Sequence, residues 1–420
     1  MIYESSETDS NISFVNTHAQ LEALRDAALS SALNIEQALS GGPSAAINSN
    51  TEEAKSAQGP RVLLVGPADC GKSTLARILT AYAVKLGRTP VLVDIDPSQN
   101  MLSVPGTLAV SPASVDAVNV DSYKTCSIMA GAMTPFILWY GSEDPTSNED
   151  LYKAQVKKLA MVIDQRLAND VDLRASGMII NTSGSIDGAG YDYLLHAIDS
   201  FRIDIVLVLG HDRLYNMIRR DTNKKAAASE ESKMVDGANF VPPKIINLTR
   251  SGGCVTRDSS FRRQQRAASI KRYFYGDMTH PKPNEPGVVP AIPPQPQYNP
   301  SLVEVSLSDV KFFKVSRVSL SASLLPVSSA QATDPIQLEQ IEPTEVGQNY
   351  TKKVLAVCHP LAVENYTKSD KARDLYLSGI AGFVVVEKVD TTRSSFSLLS
   401  PCVGSLPSMH FLTGDISWHE

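Results

Sequence analysis

Short apolar runs alternate with helical patterns through the middle of the chain. Runs without polar alternation are typical of strands that are buried on both faces of a parallel sheet, with helices as the crossover connections. The pattern therefore predicts an α/β fold with a mostly parallel sheet and flanking helices. The predicted strands are Arg61–Val65, Pro90–Asp94, Phe136–Tyr140, Gly177–Asn181, Ile203–Leu209 and Lys244–Leu248, and the clearest helical patterns are Ser73–Leu86 and Glu149–Leu167.

The N-terminal residues have a different pattern. Apolar side chains recur at near-helical spacing between Asn16 and Ser40, which predicts one amphipathic helix. Asn16 or Thr17 is the predicted N-cap, because either side chain can accept a hydrogen bond from an amide of the first turn. Gly41–Gln58 is rich in Ser, Ala, Gly and Asn without periodicity, which predicts a linker or disordered insert. We assign residues 1–58 to this helix and linker.

A proline-rich segment precedes a second change of pattern. Met278–Pro300 contains eight prolines, and proline has no amide donor for a helix or a central strand. This composition predicts a semi-rigid spacer. Beyond it, short apolar runs separated by turn residues predict a small all-β domain, a barrel or a sandwich. Its predicted strands are Leu302–Val305, Val310–Val315, Lys353–Cys358, Ile380–Val386 and Ser395–Leu399.

Composition narrows the class of protein. The 420 residues carry a net charge of −6, so binding to a polyanion would require a local basic patch. The five cysteines form no C-x-x-C pair, which indicates reduced thiols in a cytosolic or nuclear protein. No apolar run reaches the ~18 residues that would indicate a membrane span. Two or three domains suit this length.

A phosphate-binding motif follows the first predicted strand. Gly66–Thr74, with the sequence GPADCGKST, fits the pattern G-x-x-x-x-G-K-[ST] between a strand and a helix. In this loop the backbone amides surround phosphates, Lys72 neutralises their charge, and the Ser73 hydroxyl binds Mg²⁺. A glycine turn that fits by chance is the alternative. The predicted nucleotide-binding residues are Gly66, Asp69, Cys70, Gly71, Lys72, Ser73 and Thr74.

Two further segments carry candidate chemistry. Asp94 and Asp96 follow the second apolar run, where a carboxylate can bind Mg²⁺ directly or through water. We choose Asp96 for the metal and as a possible general base; a plain turn after the strand is the alternative. Arg257–Arg272 is rich in arginine and can cover phosphates as a lid, although a solvated helix face explains the same charges.

Several segments together resemble the ATP-binding subunit of eukaryotic cleavage factor IA. This subunit belongs to the family of mRNA cleavage and polyadenylation factors that are related to polynucleotide 5′-hydroxyl kinases. The pairing of GPxDxGKST with SGGxVxR…YFYG is the most specific part, and DIDPSQ and SGGCV are similar to the fungal branch. The matching segments are Ser13–Arg25, Gly59–Thr74, Asp94–Gly106, Asn181–Gly190, Arg213–Arg220, Ser251–Gly276 and Ala381–Val386.

The resemblance implies the domains and the site. It implies a P-loop, kinase-like ATP-binding domain at 59–280, a linker at 281–300 and the β domain at 301–420, whereas the family's N-terminal β domain is expected to be missing. Implied cofactors are ATP and Mg²⁺, the latter at Ser73 and Asp96, with Gln99 near the acceptor. Should the chain catalyse phosphoryl transfer, the implied catalytic residues are Lys72, Asp96 and Arg263, the last in the lid segment Arg262–Arg266.

Three functions remain open at this stage. The favoured one is an ATP-binding scaffold without kinase activity, in which ATP is held structurally. Its implied partners are the cleavage factor IA scaffold subunit with an RNA polymerase II tail-binding domain, other 3′-end processing factors and, weakly, pre-mRNA; a nuclear location and no membrane are implied. The second is an RNA 5′-hydroxyl kinase, although Ser185 stands where active kinases have a base-stacking Trp. A partitioning-type ATPase is the third, disfavoured because Pro67 and Ala68 leave no second lysine early in the loop.

Overall fold

The structure is a computed structural model. It describes residues 7–39, 57–114, 135–231, 240–276, 278–279, 295–296, 298–317, 335–342, 345–390 and 392–419. Most of the predicted linker Gly41–Gln58 and of the proline-rich spacer therefore lies outside the described residues.

The first part of the described chain alternates strands and helices around one sheet. The strand order is β4–β3–β2–β5–β1–β6–β7; neighbours from β2 to β7 in this order are parallel, whereas β3 is antiparallel to both of its neighbours, β2 and β4. The elements are α1 (Glu7–Leu39), β1 (Arg61–Val65), α2 (Lys72–Lys85), β2 (Val91–Asp94), β3 (Thr107–Pro112), β4 (Phe136–Trp139), α3 (Glu149–Asn169), α4 (Val171–Ser176), β5 (Met178–Asn181), α5 (Ala189–Phe201), β6 (Ile205–Leu209), α6 (Asp212–Glu231), β7 (Lys244–Leu248) and α7 (Ser259–Tyr275).

The central strands of this sheet are buried on both faces. Every residue of β1, β5 and β6 is buried. Val62 and Leu64 join an apolar cluster with side chains of α1 and α2, whereas Leu63 and Val65 join a cluster with side chains of α3 and α5. Helices thus cover both faces, which confirms the predicted α/β fold with a mostly parallel sheet. Strand β3 was not predicted.

Helix α1 is longer than its sequence pattern indicates. It begins at Glu7, so the prediction of a start capped by Asn16 or Thr17 is wrong. The Thr17 hydroxyl donates to the Ser13 carbonyl oxygen at 2.8 Å, as an interior helical residue does. Phe14, only 7% exposed, packs into the cluster beneath the sheet. Tertiary packing therefore extends the helix beyond the predicted cap.

The second part of the chain forms another sheet. Its order is β10–β15–β14–β13–β16–β11–β12, and neighbours are antiparallel except for β11 and β16. Two helices lie between β13 and β14, and the prediction omitted them together with β12 and β16. The elements are β8 (Met278–Thr279), β9 (Gln295–Pro296), β10 (Ser301–Ser306), β11 (Lys311–Arg317), β12 (Ile336–Ile341), β13 (Val354–Cys358), α8 (Pro360–Ser369), α9 (Arg373–Tyr376), β14 (Ile380–Asp390), β15 (Ser395–Ser400) and β16 (His410–Thr413).

An apolar seam joins the two sheets. Phe274 at the end of α7 is fully buried, and its ring stacks on Trp418 with the centroids 5.9 Å apart. The Phe383 amide donates to the Tyr273 hydroxyl at 3.0 Å. Helix α7 is therefore fixed at its C-terminal end by contacts with the second sheet. We define the apolar seam as Val104, Trp139, Ile270, Phe274, Phe383 and Trp418.

Within the described residues, the structure contains no helix whose length and apolar character would let it cross a membrane.

Candidate nucleotide-binding site

The loop between β1 and α2 has the backbone of a phosphate-binding turn. Gly71 precedes α2 with a φ of 97°, a conformation that side-chain-bearing residues rarely adopt. Asp69 also has a positive φ, of 58°. The first turn of α2 carries no acidic side chain. Its amides and the helix dipole therefore present a positive end at which a phosphate is stabilised.

Lys72 lies inside this loop. Its side chain is nearly buried, and Nζ donates to the carbonyl oxygens of Gly66 and Pro67, each at 2.8 Å. Burial lowers the pKa of the ammonium group, because a charge in a low-dielectric site is costly. An anionic phosphate beside it offsets that cost. The lysine is thus held in place before any ligand arrives.

A chain of polar groups connects the phosphate loop to β2 and β5. The Ser73 hydroxyl lies 3.4 Å from Asn181 Oδ1, and Asn181 Nδ2 donates to Asp94 Oδ1 at 3.1 Å. Asp94 is fully buried and also accepts from the Met101 amide at 2.7 Å. Burial, and then the Asp96 carboxylate nearby, raises the pKa of Asp94 to about 7. Asp94 therefore positions the loop after β2 and the Asn181 amide.

Asp96 has a different environment from Asp94. It is partly exposed, lines the same pocket as Ser73, and accepts from the amide and hydroxyl of Ser98 at 2.9 and 2.8 Å. Across the described residues, no group of three or more His, Cys, Asp or Glu side chains could hold a metal. A hydroxyl and a carboxylate still fit Mg²⁺, which commonly takes few protein oxygens and completes its shell with phosphate oxygens and water.

The turn after β5 packs directly against the phosphate loop. The Thr182 hydroxyl donates to the Leu64 carbonyl oxygen at 2.8 Å. A Cβ on Gly184 would lie 2.7 Å from Ala68 Cα, so only glycine permits this approach of the two backbones. Ser183 and Ser185 line the pocket. The sequence analysis included this turn only within the matching segment Asn181–Gly190, and the fold places it at the site.

The arginine-rich helix α7 reaches the phosphate loop through Asp69. Arg262 Nη2 lies 2.7 Å from Asp69 Oδ2, and the Arg257 amide donates to the same oxygen at 3.0 Å. Although burial would raise it, these contacts hold the pKa of Asp69 below its ordinary value. Arg266 lines the pocket and pairs with Glu143 at 2.7 Å. The helix thus closes over one side of the loop.

The structure does not bring Arg263 to the pocket. Arg263 is exposed. Arg262 and Arg266, which are four residues apart and therefore share one face of α7, line the cavity. The predicted catalytic role of Arg263 stays a prediction, and the cavity lining contains Arg262 and Arg266 in its place. All the other predicted site residues except Gly66 line the cavity, and Gly66 supplies a carbonyl oxygen to Lys72.

The cavity around these residues is strongly basic. Its volume is about 690 Å³, within the range of small-molecule sites. Among the described residues that line it, only Asp69 and Asp96 are acidic. Sequence reasoning missed Asn11 and Phe14 of α1, because nothing in the pattern places that helix beside the loop. The basic residues in the lining are Lys72, Arg77, Arg257, Arg262, Arg266 and Arg272.

Comparison with known families and proteins agrees with the family resemblance described from the sequence. Residues 66–276 match the family described as "mRNA cleavage and polyadenylation factor CLP1 P-loop", and residues 298–420 match "Pre-mRNA cleavage complex II protein Clp1". The chain belongs to the CLP1 family. The resemblance inferred from the sequence is thereby confirmed, and so is the P-loop class of the first sheet. CLP1 proteins are mRNA cleavage and polyadenylation factors, and nucleotide binding is characteristic of their P-loop.

Relatives of this CLP1 chain carry three kinds of name. The "Polyribonucleotide 5'-hydroxyl-kinase Clp1" of Danio rerio is 33% identical, over 96% of this chain and 75% of that protein. The "mRNA cleavage and polyadenylation factor clp1" of Botryotinia fuckeliana is 32% identical, over 100% of this chain and 78% of that protein. The "Protein CLP1 homolog" of Arabidopsis thaliana is 29% identical, over 100% and 79%.

Two solved structures share the fold of this CLP1 chain. One is a complex of wild-type Clp1p with a Pcf11p segment, with a TM-score of 0.64 and 23% identity, covering 97% of this chain and 79% of that one. The other describes an extended Pcf11p–Clp1p interface and ATP loss in a point mutant; its TM-score is 0.65 and its identity 21%, covering 97% and 80%.

Proposed function

We propose that this CLP1-family chain is an ATP-binding scaffold subunit of the nuclear pre-mRNA 3′-end cleavage and polyadenylation machinery. ATP with Mg²⁺ is held structurally and keeps the phosphate loop, α7 and the second sheet in one arrangement. The observation that carries the proposal is the nearly buried Lys72 ammonium, held by two backbone carbonyls inside a basic cavity of about 690 Å³. Such a site favours a polyphosphate over any neutral ligand.

Residues of the phosphate loop are assigned as the nucleotide ligands. Mg²⁺ would neutralise part of the phosphate charge and would be held by Ser73 and Asp96, whose oxygens face the same cavity. Asp94 keeps the turn after β2 in place rather than binding the ion. The proposed ATP-binding residues are Gly66, Asp69, Cys70, Gly71, Lys72, Ser73 and Thr74.

The absence of an aromatic side chain in the turn after β5 favours holding ATP over transferring its phosphate. Ser185 lines the cavity beside the turn after β5, at the position where the resemblance implies a stacking Trp in active kinases. Stacking of a base on an aromatic ring contributes about 1–3 kcal/mol. An RNA end would therefore be positioned weakly, whereas the phosphate-loop residues that would bind a triphosphate all remain.

The nucleotide content of the purified protein tests this proposal. We expect stoichiometric ATP, recovered by acid extraction and chromatography, that persists through gel filtration with Mg²⁺. Protein that binds no nucleotide under any condition would contradict it. Added ATP should also raise the unfolding temperature of the protein, because a ligand that binds only the folded state stabilises it by mass action.

Partner binding is the second part of the proposal. The related Clp1p was solved with Pcf11p, and we propose a corresponding partner here, a cleavage factor scaffold subunit with an RNA polymerase II tail-binding domain. The ATP-saturated protein should retain that subunit in a pull-down, whereas Lys72→Ala should lose nucleotide and partner together. If Lys72→Ala lost nucleotide but still bound the partner as tightly, the proposal that ATP has a structural role would be contradicted.

A polyribonucleotide 5′-hydroxyl kinase is the alternative. Asp96, Arg262 and Arg266 line one cavity with Lys72, and relatives such as the Danio rerio protein are named as kinases of this type. Asp96 would accept the hydroxyl proton while the basic side chains stabilise the transferring phosphoryl group. Transfer of labelled γ-phosphate to a 5′-hydroxyl oligoribonucleotide, above a Lys72→Ala control, would establish this function and overturn a purely structural role for ATP.

A further inference from the structure

Two cysteines from distant parts of the sequence meet at the phosphate loop. Cys70 lies within the loop, and Cys254 lies in the turn between β7 and α7. A Cβ on Gly71 would lie only 3.0 Å from Cys254 Sγ, so this thiol packs on the loop backbone next to Cys70. The thiols are close enough for a thiolate at Cys254 to oppose ionisation of Cys70.

We propose that Cys70 and Cys254 form a reversible disulfide that closes the nucleotide site under oxidising conditions. This inference rests on the nucleotide binding proposed above and adds a regulation of that site. Both segments can move by small amounts, because Gly71 adjoins Cys70 and two glycines, Gly252 and Gly253, precede Cys254.

The disulfide and a bound triphosphate need different loop geometries. A disulfide brings the two sulfurs to about 2.0 Å and usually the Cα atoms to about 5.5–6 Å. Cys70 is buried in the cluster beneath the loop, and a Cβ on Gly66 would lie 2.8 Å from its sulfur. Turning Cys70 toward Cys254 therefore draws the backbone on either side of Cys70 out of its phosphate-binding curve. Oxidation and nucleotide binding should exclude each other.

The two thiols have the roles that an oxidation by hydrogen peroxide requires. Cys254 is partly exposed, so its thiolate attacks the peroxide; the sulfur becomes a sulfenic acid and the first water leaves. Cys70 then attacks the sulfenic sulfur, which forms the disulfide and releases the second water. In total, two thiols lose two protons and two electrons, and one peroxide becomes two waters.

Lys72 assists the second step, and the burial of Cys70 explains why this thiol reacts second. Burial raises the pKa of the Cys70 thiol, which makes it a poor first nucleophile. Lys72 Nζ lies 3.9 Å from Cys70 Sγ, and its positive charge favours the thiolate at the moment of attack. A phosphate bound at Lys72 would remove that assistance, so nucleotide should protect the pair from oxidation.

Treatment of the full-length protein with hydrogen peroxide tests the inference. We expect peptide mapping under non-reducing conditions to find the Cys70–Cys254 link, and the affinity for a fluorescent ATP analogue to fall by at least about tenfold. Dithiothreitol should restore it, and saturating Mg–ATP should slow the formation of the link. Absence of the link in nucleotide-free protein, or undiminished ATP affinity in the linked protein, would overturn the inference.

Matched serine variants test whether the Cys254 thiol is the one that makes ATP binding sensitive to peroxide. Cys254→Ser should bind ATP when reduced and keep that affinity after peroxide. Cys402→Ser, which removes an exposed thiol in the loop after β15, should stay as sensitive as the unmodified protein. Equal loss of binding in Cys254→Ser would overturn the disulfide. Peptide mapping detects the Cys70–Cys254 link in protein without nucleotide, whereas ATP binding by the reduced protein tests the proposed function. A failure of the disulfide inference can therefore be distinguished from a failure of the proposed nucleotide binding.

Discussion

Lys72 in the phosphate loop and the rings of the apolar seam are both buried, but different groups surround them. Lys72 in the loop is held by backbone carbonyls, and Asp94, at the end of the nearby strand β2, accepts from a backbone amide. In the seam, aromatic rings such as Phe274 and Trp418 pack without a polar network. Helix α7 connects the two regions, because Arg262 lies near its start and Phe274 near its end. Substitutions in the seam should therefore mainly lower the free energy of unfolding, and substitutions in the loop should mainly weaken nucleotide binding.

The largest expected effect is in the seam. Phe274→Ala removes a fully buried ring and should lower the free energy of unfolding by about 3–5 kcal/mol. Urea unfolding followed by fluorescence measures this change. Phe261→Ala on the same helix is the control, because that ring is 39% exposed and should cost far less. Similar losses in both variants would show that the seam does not fix α7.

The next effect is in the loop. Lys72→Ala should weaken ATP binding by about 100-fold, or about 3 kcal/mol, because a charge-assisted contact is lost. Stability without nucleotide should change little, since the buried charge also carries a desolvation cost. Isothermal titration calorimetry measures the affinity, with Lys85→Ala, an exposed lysine at the end of α2, as the control. Equal affinities in the two variants would contradict the site.

The third prediction uses the pKa of Asp94, which burial raises to about 7 from 3.8. Between these values the unfolded chain has released a proton that the folded protein retains, so raising the pH favours unfolding. The stabilisation from this group is complete below pH 3.8 and is lost as the pH rises to about 7.

Unfolding experiments at two pH values test that sign. From pH ~5.5 to ~7.5, nucleotide-free protein should lose about 2 kcal/mol that Asp94→Asn does not lose. Asp94→Asn starts less stable, because its one amide oxygen cannot replace both carboxylate oxygens, which accept separately from the Met101 amide and from Asn181 Nδ2. An identical pH dependence of the two proteins would mean that Asp94 is ionised throughout.

The smallest effect separates two adjacent arginines of α7. Arg262→Ala should weaken ATP binding by about fivefold, close to 1 kcal/mol, because its ion pair with Asp69 is partly exposed. Arg263→Ala should leave the affinity unchanged, since that side chain is exposed and does not line the cavity. Titration with a fluorescent ATP analogue compares them. A larger loss in Arg263→Ala would favour the sequence-based choice over the structure.

Contiguous features were the ones that the sequence predicted well. The strands Arg61–Val65 and Lys244–Leu248 have their predicted bounds, although only the first is buried throughout, because β7 lies at the edge of the sheet. Strand β3 was missed because Thr107–Pro112 mixes polar and apolar residues, although all six are buried. The start of α1 was missed because packing of Phe14 outweighs a local capping preference. The division of the chain into domains remains a prediction.

The sequence by itself determined the phosphate loop, because backbone amides and one lysine within nine consecutive residues, Gly66–Thr74, bind phosphate. Tertiary structure decided which carboxylate is buried and which arginines face the cavity. Asp94 and Asp96 are equivalent in the sequence pattern, yet only Asp94 lies under the sheet edge beside Asn181. The orientation of α7, and the meeting of Cys70 with Cys254, depend on contacts between segments far apart in the chain, which local periodicity does not record.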